Sequence, residues 1–419
     1  MHSFIILILF FLCCSTASSQ QSNTNSLPYR FVPQHSILSG ENLVMAGRID
    51  LAMNEDVKEG EENIIGRYRA AILCFDKNFK KKWECIFSEY GYRSQISSFQ
   101  KYNDTSFLVM MMERETKYSD RMLTLILISK NGKQISRADL CNKVHTIDEK
   151  SVWIQQKCRK VEHGYMKVFG RDSIVVAYTY RIGSGKENLC MNIEMYNHKF
   201  EKTDSSATLI GEIGNGDAIS DIYAEPHRIL IAADFGKNQL YNVALYETDK
   251  KLKIINKRYY FTSNDEPNVI VKNGQEGYIL GCSVGNREKN VSAGLLFLDK
   301  SLDTTRFVQW GKYDQDDVMG IHNFNKSLLV AHESGELVKY PRTEVTTFRS
   351  GFSVFDLKGN LIQTHQFFKD KQEEITVGIL PFKNGFYFVS RRKEGGGTII
   401  RTFDTDYKMI KEIELTYVP

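Results

Sequence analysis

Residues 327–360 contain two apolar runs, SLLVAH (327–332) and, after a polar loop, FSVFDLKGN (352–360), which ends in a turn. Both halves of this pattern occur seven times in the chain, in the same order. The first half recurs as LVMAG (43–47), FLVMMM (107–112), SIVVAYTY (173–180), RILIAAD (228–234), GYILGCSVG (277–285) and GFYFVS (385–390). The second half recurs as AILCFDKNFK (71–80), LILISKNGK (125–133), NIEMYNHKF (192–200), VALYETDKK (243–251), LLFLDKSLD (295–303) and IIRTFDTDY (399–407). Self-similarity of this kind predicts a repeat architecture.

The spacing of the copies indicates the kind of repeat. We take as markers the residues that begin each turn: Asp76, Ser129, Asn197, Glu247, Asp299, Asp356 and Asp404. Successive markers are 53, 68, 50, 52, 57 and 48 residues apart. A step near 50 residues fits one four-stranded propeller blade, and seven such blades close into a ring.

Each copy provides four strands, A to D, from the channel outward. In the second copy, QISSFQKY (95–102) is the A strand, and in the first copy KKWECIF (81–87) is the D strand. Alternating apolar and polar residues with Lys-Asn-Gly-like turns favour antiparallel pairing. The sequence therefore predicts an all-β fold, a seven-bladed β-propeller of four-stranded antiparallel blades.

The chain begins with MHSFIILILFFLCCSTASS, whose apolar run is too short to span a bilayer. We interpret residues 1–19 as a signal peptide, 20–37 as an N-terminal lead and 38–419 as a single propeller domain. The segment 27–31 could add a strand to the last blade. We expect a secreted protein, extracellular or periplasmic, without a transmembrane segment. The alternative is a lipid-anchored lipoprotein, cleaved before Cys13 or Cys14.

The second half of the blades resembles the repeat of PQQ-like propellers. The resemblance rests on AILCFDKNFKKKWECIF (71–87) and FSVFDLKGNLIQTHQF (352–367), in which a strand runs through an Asp-containing turn, in the first copy to a Trp. Similarity to WD40-like propellers is one of architecture alone, because no copy has the Trp-Asp pair. The PQQ-like family implies a quinone and a calcium ion. Its cofactor-binding residues are not recognisable here, so the resemblance implies architecture only.

Charge and motifs exclude several functions. The chain has 55 Lys and Arg against 51 Asp and Glu without a basic block, so nucleic acid is not expected as a partner. None of the nine histidines pairs with another ligand residue at metal-binding spacing on one element. Phosphate loops, dinucleotide fingerprints and a Gly-x-Ser-x-Gly elbow are also absent from the sequence.

Acidic segments stand where the D strands of the later blades lead to the next A strand. We expect four of their residues to lie nearest the channel, as candidate contacts for a cation, a sugar or a polar peptide: Asp221, Asp265, Asp317 and Glu374. Basic residues occur in the neighbouring B–C loops, among them Arg391, Arg392 and Lys393. The alternative is that these charged loops are simply solvated.

The cysteines suggest two disulfides if the protein is exported. Cys74 and Cys85 flank the first C–D turn, and Cys141 and Cys158 enclose the surplus residues of the 68-residue step. The segment 141–158 is predicted to be an inserted hairpin, with Trp153 as a further candidate contact. Cys190 and Cys282 are expected to be buried thiols. Glycosylation sequons occur at Asn103, Asn290 and Asn325.

The sequence thus indicates a scaffold with loops and contains no recognisable catalytic, metal-binding or nucleotide-binding motif. The expected function is binding of a protein or glycan partner through the loop face. One alternative is an enzyme at the channel mouth, a hydrolase, lactonase or lyase that could use calcium. Another is a structural subunit of a cell-surface complex.

Overall fold

The computed structural model describes residues 26–27, 29–50, 68–87, 93–114, 122–140, 161–170, 173–181, 189–209, 219–237, 240–260, 265–286, 290–311, 315–340, 343–367, 373–393 and 397–417. All regular secondary structure in these ranges consists of β-strands. They are β1 (Ser26–Leu27), β2 (Arg30–Ser39), β3 (Asn42–Asp50), β4 (Tyr68–Phe75), β5 (Lys81–Ile86), β6 (Arg93–Asn103), β7 (Ser106–Arg114), β8 (Met122–Ser129), β9 (Gln134–Asp139), β10 (Val161–Phe169), β11 (Ser173–Arg181), β12 (Leu189–Asn197), β13 (Lys202–Leu209), β14 (Ile219–Glu225), β15 (Arg228–Lys237), β16 (Leu240–Thr248), β17 (Ile254–Tyr260), β18 (Glu266–Asn273), β19 (Gly277–Asn286), β20 (Asn290–Asp299), β21 (Thr304–Trp310), β22 (Gln315–Phe324), β23 (Ser327–Tyr340), β24 (Thr343–Asp356), β25 (Leu361–Phe367), β26 (Glu374–Phe382), β27 (Gly385–Arg392), β28 (Thr398–Phe403) and β29 (Met409–Tyr417).

These strands form the predicted seven-bladed propeller. Blades one to seven begin with the A strands β2, β6, β10, β14, β18, β22 and β26, and each continues through three antiparallel neighbours. Every A strand contacts the A strand of the next blade, and β26 contacts β2, so the ring is closed. The D–A and B–C connections lie on one face, here called the loop face. The A–B and C–D connections lie on the other, the turn face.

A short strand near the start of the chain pairs with the outermost strand of the last blade. Strand β1 pairs in parallel with β29, with Ser26 opposite Thr416 and Leu27 opposite Tyr417. The last blade thus gains a short fifth strand at its outer edge. Of the segment 27–31 that was expected to add to this blade, only Leu27 pairs with it, and Arg30 and Phe31 belong to the A strand of blade one. The propeller begins at Arg30, within the predicted lead of 20–37, because the first A strand is assembled from residues placed in that lead.

The hydrophobic core lies between the blades. Buried apolar side chains of the described residues form seven clusters, one at each interface of neighbouring blades. In β3, Leu43 and Met45 pack towards blade seven, whereas Val44 and Ala46 pack towards blade two. Side chains on a strand alternate between its faces, and here both faces are covered. This explains why the B and C strands are almost wholly apolar.

All seven A strands carry a bulge or register shift near their loop-face end. The shifts lie at Pro33/His35, Ile96/Ser98, Val161/Gly164, Ile219/Asp221, Pro267/Val269, Val318/Gly320 and Thr376/Gly378. A bulge adds a residue to one strand and increases its local twist. The repeat therefore includes a backbone irregularity that apolar patterning does not reveal.

The C–D turns follow a common design. Asp76 Oδ1 accepts hydrogen bonds from the backbone N–H groups of Asn78 and Lys80, and the equivalent residues of blades three to seven do the same. In blade two, Ser129 Oγ accepts from the Lys133 N–H. In blade four this residue is Asp249, whose Oδ1 accepts from Lys251 and Lys253. The marker Glu247 was wrong by two residues, because it lies inside β16. Its carboxylate pairs instead with Arg228.

The fourth residue of each C–D turn has a left-handed backbone. Five blades place a large side chain there, and the φ angles of these five residues lie between 61° and 67°. The residues are Phe79, Phe200, Leu252, Leu302 and Tyr407. Leu252 and Leu302 are fully buried at blade interfaces, so packing offsets a strain of roughly 1–2 kcal/mol.

Blades two and six have glycine at the same turn position. A Cβ atom on Gly132 would lie 2.6 Å from the Trp83 ring, and one on Gly359 would lie 2.8 Å from the Phe297 ring. Both rings belong to the preceding blade. In five blades the side chain of the fourth turn residue occupies this space. In blades two and six an aromatic ring of the preceding blade occupies it instead.

The predicted bridge between Cys74 and Cys85 is not present, and both thiols are free. The prediction assumed a symmetric hairpin centred at Phe79 and Lys80. A five-residue turn followed by a register shift instead places Cys74 opposite Trp83 and Cys85 opposite Ile72. The two cysteines therefore share a face and a core cluster, but they are not directly opposed. Cys190 and Cys282 are both buried, as expected.

Several predicted features lie outside the described residues. They are the signal peptide 1–19, the inserted hairpin 141–158, its cysteines Cys141 and Cys158, and Trp153. Of the sequons, Asn103 and Asn325 lie exposed at A–B turns.

Candidate functional site at the loop face

The predicted acidic residues mostly hold blades together. Asp221, in β14, accepts hydrogen bonds from the backbone N–H groups of Ile222 at 2.8 Å and of Ile270, in blade five, at 3.0 Å. Burial raises the pKa of this carboxyl, although Lys167 and the two hydrogen bonds oppose the shift. Asp221 is thus a link between two A strands.

Asp265 and Asp317 also take part in hydrogen bonds of the framework. Asp265 is fully buried and accepts from the Gly285 N–H at 2.8 Å, within blade five. Asp317, in blade six, accepts from the Ser283 hydroxyl of blade five at 2.5 Å. The Ser283 oxygen in turn accepts from the Asn268 amide at 2.8 Å.

Glu374 forms the core of a buried polar network. Arg401 donates to it through Nη1 at 2.8 Å and Nη2 at 2.9 Å, and both side chains are at most 2% exposed. The hydroxyls of Ser350 and Ser390 each donate to Glu374 Oε2 at 2.9 Å. Since Ser350 belongs to blade six, the network joins blades six and seven.

The structure does not bring the four acidic residues together as a set of metal ligands. Within the described ranges, no group of three or more His, Cys, Asp and Glu side chains is arranged to hold a metal ion.

A charged cluster that sequence reasoning missed lies where blades six, seven and one meet at the loop face. Its centre is Glu333 in β23, which stands directly opposite Asp317 in the ladder of β22 and β23. Burial, and then the like charge of Asp317, raise the pKa of Glu333 to about 7. Arg391 and Lys393 of blade seven oppose this rise.

Blade one completes this cluster with the paired strand ends of β2 and β3. Arg30 and Arg48 lie 3.5 Å and 3.3 Å from the carboxylate of Asp50. Arg48 also stacks over the Tyr68 ring at 4.7 Å, and Arg30 Nη2 donates to the Lys393 carbonyl at 3.5 Å. We call this set the mouth cluster: Arg30, Arg48, Asp50, Asp317, Glu333, Arg391 and Lys393.

Two guanidinium groups of the mouth cluster share one carboxylate. Arg30 Nε and Arg48 Nε are both within ion-pair distance of Asp50, and neither makes a hydrogen bond of good geometry among the described residues. Arg392, the next residue along β27 after Arg391, faces the other side of the strand, where it binds Glu414 in a bidentate pair with contacts of 2.6 Å and 2.8 Å. Side chains of this kind can bind the oxygen atoms of carboxylates, sulfates or sugar hydroxyls.

Part of this cluster was visible in the sequence. Arg391 and Lys393 are among the basic residues of the B–C loops and Asp317 among the acidic candidates, but Glu333, which follows the apolar B run 327–332, was not singled out. Its place opposite Asp317 depends on the bulge between Val318 and Gly320. A pattern of alternating residues does not predict that register.

Two histidines lie in the A strands around the channel. Burial lowers the pKa of His35, in blade one, to about 4. Burial, and then the charge of Lys167 in blade three, lower the pKa of His322, in blade six, to about 4 as well. Both imidazoles are therefore neutral near pH 7.

No protein-family profile matches the chain, and no curated protein matches it in sequence. Solved structures are similar to it in fold. A protein of unknown function from Dyadobacter fermentans is 9% identical with a TM-score of 0.49, over 79% of this chain and 96% of that one. The β-propeller domain of the Trilobed protease from Pyrococcus furiosus is 7% identical with a TM-score of 0.49, over 93% and 97%.

An apocarotenoid oxygenase from Synechocystis, as its Trp-to-Ala mutant, is 8% identical with a TM-score of 0.48, over 94% of this chain and 95% of that one. At these identities the similarity concerns the propeller fold alone. In the described part of the chain, no helix is long and apolar enough to cross a membrane.

Proposed function

We propose that this protein is a secreted propeller that binds a protein or a glycan through its loop face. The observation that carries the proposal is that Arg30 and Arg48 of the mouth cluster share the single carboxylate of Asp50. Each guanidinium has five N–H donors, so two of them beside one carboxylate have donors left for the oxygen atoms of a ligand. The partner would therefore present carboxylate, sulfate or hydroxyl oxygens.

The roles of the predicted acids support binding over catalysis. Asp221, Asp265 and Glu374 accept hydrogen bonds from the framework, and Glu374 is neutralised by Arg401. These carboxylates stabilise the ring on which the loops stand. Binding residues are typically carried by loops and strand ends above such a rigid scaffold.

The test compares two variants of the full chain. Arg30→Gln with Arg48→Gln removes two donors whose side chains are 37% and 34% exposed, so the fold should persist. Lys408→Gln changes an exposed residue of the opposite face and serves as control. Ligands are sought on arrays of sulfated, uronic-acid and neutral glycans and of acidic peptides.

We expect the double variant to weaken binding at least about tenfold, because each charged hydrogen bond contributes about 1.5 kcal/mol or more. The Lys408→Gln control should bind like the natural chain. Equal binding by the double variant and the natural chain would refute the role of the mouth cluster.

Secretion is part of this proposal and rests on the amino-terminal sequence. Expression of the full gene in a secreting host, followed by amino-terminal sequencing, should give a mature start near Gln20. Cleavage before Cys13 or Cys14 with an attached acyl chain would support the lipoprotein alternative instead.

A second candidate function is an enzyme at the channel mouth. It is favoured by the direct pairing of Asp317 with Glu333 and by the Glu333 pKa of about 7. A carboxyl group with such a pKa can act as a general acid or base near neutral pH. Hydrolysis of lactone, ester or glycoside probes that Glu333→Gln abolishes would support an enzyme. Unchanged turnover in that variant would exclude the pair from catalysis.

A further inference from the structure

A second polar site lies on the turn face, at the interface of blades four and five. It is a groove of about 520 Å³ formed by the A–B turns of both blades and the C–D turn of blade five. The charged and aromatic side chains that line it are Glu225, His227, Arg228, Lys272, Tyr278 and Lys300. We call it the turn-face groove.

The carboxylate of Glu225 in this groove already has an ion-pair partner and a hydrogen-bond donor. Lys272 donates to Glu225 Oε2 at 2.6 Å, and the Tyr278 hydroxyl donates to Glu225 Oε1. Although burial acts to raise the pKa of Glu225, these two hydrogen bonds hold it below its ordinary value. The hydrogen bond to Glu225 likewise raises the pKa of Lys272. The pair is therefore a charged but balanced part of the wall.

Arg228 is fixed in place and still has donors to offer. Its Nε donates to Glu247 at 2.7 Å, and its Nη1 donates to the Lys300 carbonyl at 2.7 Å and to the Tyr278 oxygen at 3.2 Å. These contacts join blades four and five. The two N–H groups on Nη2 donate to none of the described residues. The guanidinium is thus preorganised, with one nitrogen unused.

Lys300 gives the groove its excess of positive charge. Glu225 balances Lys272 and Glu247 balances Arg228, whereas the Lys300 ammonium has no ion pair with any acid in the described ranges. Lys300 is the second residue of its C–D turn, and Asp299 Oδ1 holds the backbone of that turn at Ser301 and Asp303. A fixed guanidinium and an ammonium that line the same groove are suited to an oxyanion.

We infer that the turn-face groove binds the phosphate or sulfate group of a small ligand. Arg228 Nη2 and the Lys300 ammonium would donate to the anion, and His227 would contribute a further donor at the rim. This inference concerns the face opposite the mouth cluster, so it does not depend on the proposed function.

Isothermal titration of the full chain tests this inference at constant ionic strength. The probes are inorganic phosphate, inorganic sulfate, a phosphorylated monosaccharide and a sulfated monosaccharide, with sodium chloride as the reference titrant. Saturable binding of one oxyanion per chain is expected. Similar affinities for all four probes would identify a free anion as the ligand, whereas tighter binding of the sugars would identify an ester.

Three variants make the test specific. Lys300→Gln should weaken binding about threefold to fivefold, because an exposed charge pair contributes up to about 1 kcal/mol. Lys250→Gln is the matched control, because Lys250 has the same turn position in blade four and lies outside the groove. Glu225→Gln should tighten binding, since it frees the charge of Lys272. Absence of saturable binding, or equal weakening in Lys300→Gln and Lys250→Gln, would overturn the inference.

Discussion

The buried pair of Glu374 and Arg401 offers the sharpest test of the idea that the acidic residues hold the ring together. Glu374→Ala would remove the acceptor of two Arg401 nitrogens and of two serine hydroxyls. Arg401 would keep its 2.8 Å contact with Glu412 and its place over the Phe367 ring at 4.1 Å. A guanidinium that is 2% exposed would still lose its main counter-charge.

Breaking a buried pair in this way costs about 3–5 kcal/mol of unfolding free energy. Replacing both members with apolar residues should cost much less, because no uncompensated charge remains. We therefore expect Glu374→Leu with Arg401→Met to be more stable than the sum of the two single changes allows. Urea denaturation at pH 7, followed by far-ultraviolet circular dichroism, measures these differences.

The exposed pair of Lys101 and Asp104 provides the control for this experiment. Its nitrogen and oxygen lie 2.5 Å apart, but the Asp104 side chain is 94% exposed, so Asp104→Asn should leave the urea midpoint unchanged. The reasoning would be refuted if Glu374→Ala cost less than about 1 kcal/mol. Strict additivity of Glu374→Leu and Arg401→Met would refute it equally.

Three further predictions follow from the turns, the cysteines and the mouth cluster. Leu302→Gly should destabilise the fold by about 1–2 kcal/mol in urea, because a lost burial of about 2–3 kcal/mol exceeds the relieved strain; a stabilised variant would contradict this. Burial raises the pKa of Cys74 and of Cys85 to about 11, so mass spectrometry should find both unbridged and slow to alkylate at pH 8 while the chain is folded; a Cys74–Cys85 peptide under non-reducing conditions would contradict the register. The pKa of Glu333 rises from 4.5 to about 7 on folding, so its contribution to stability is present below pH 4.5 and is lost as the pH rises through 7. Glu333→Gln should therefore be more stable than the natural chain at pH 8, by at most about 3 kcal/mol, and equal to it near pH 4.5; a pH-independent difference in urea midpoints would argue against the shift.

The fold could be predicted from the sequence because each blade contributes two apolar runs, which recur along the chain. The B and C strands are buried on both faces, so LVMAG (43–47) and its six counterparts stand out from the polar loops. The first A strand was missed because half-exposed residues such as Gln34 and Ser36 carry no such signal. Fold prediction succeeded where burial is complete.

Local register was less predictable, and the candidate site depends on it. Phe79 adopts a left-handed conformation that sequence reasoning reserves for glycine, and the turn it forms shifted the pairing of Cys74 and Cys85. The bulge beside Val318 likewise determines which residue stands opposite Asp317. Both features depend on packing between blades, which a single blade's pattern does not contain.

The glycine turns of blades two and six have a consequence for how the chain can change over evolutionary time. Gly132 cannot gain a side chain while Trp83 stays large, and Trp83 cannot shrink without leaving a void beside Gly132. The two positions must change in a restricted order, through an intermediate that is either overpacked or hollow. The same holds for Gly359 with Phe297. Neighbouring blades of this propeller are therefore not free to diverge independently. Exchanging blade two or blade six between related propellers would succeed only if the aromatic residue of the preceding blade, Trp83 or Phe297, were exchanged as well.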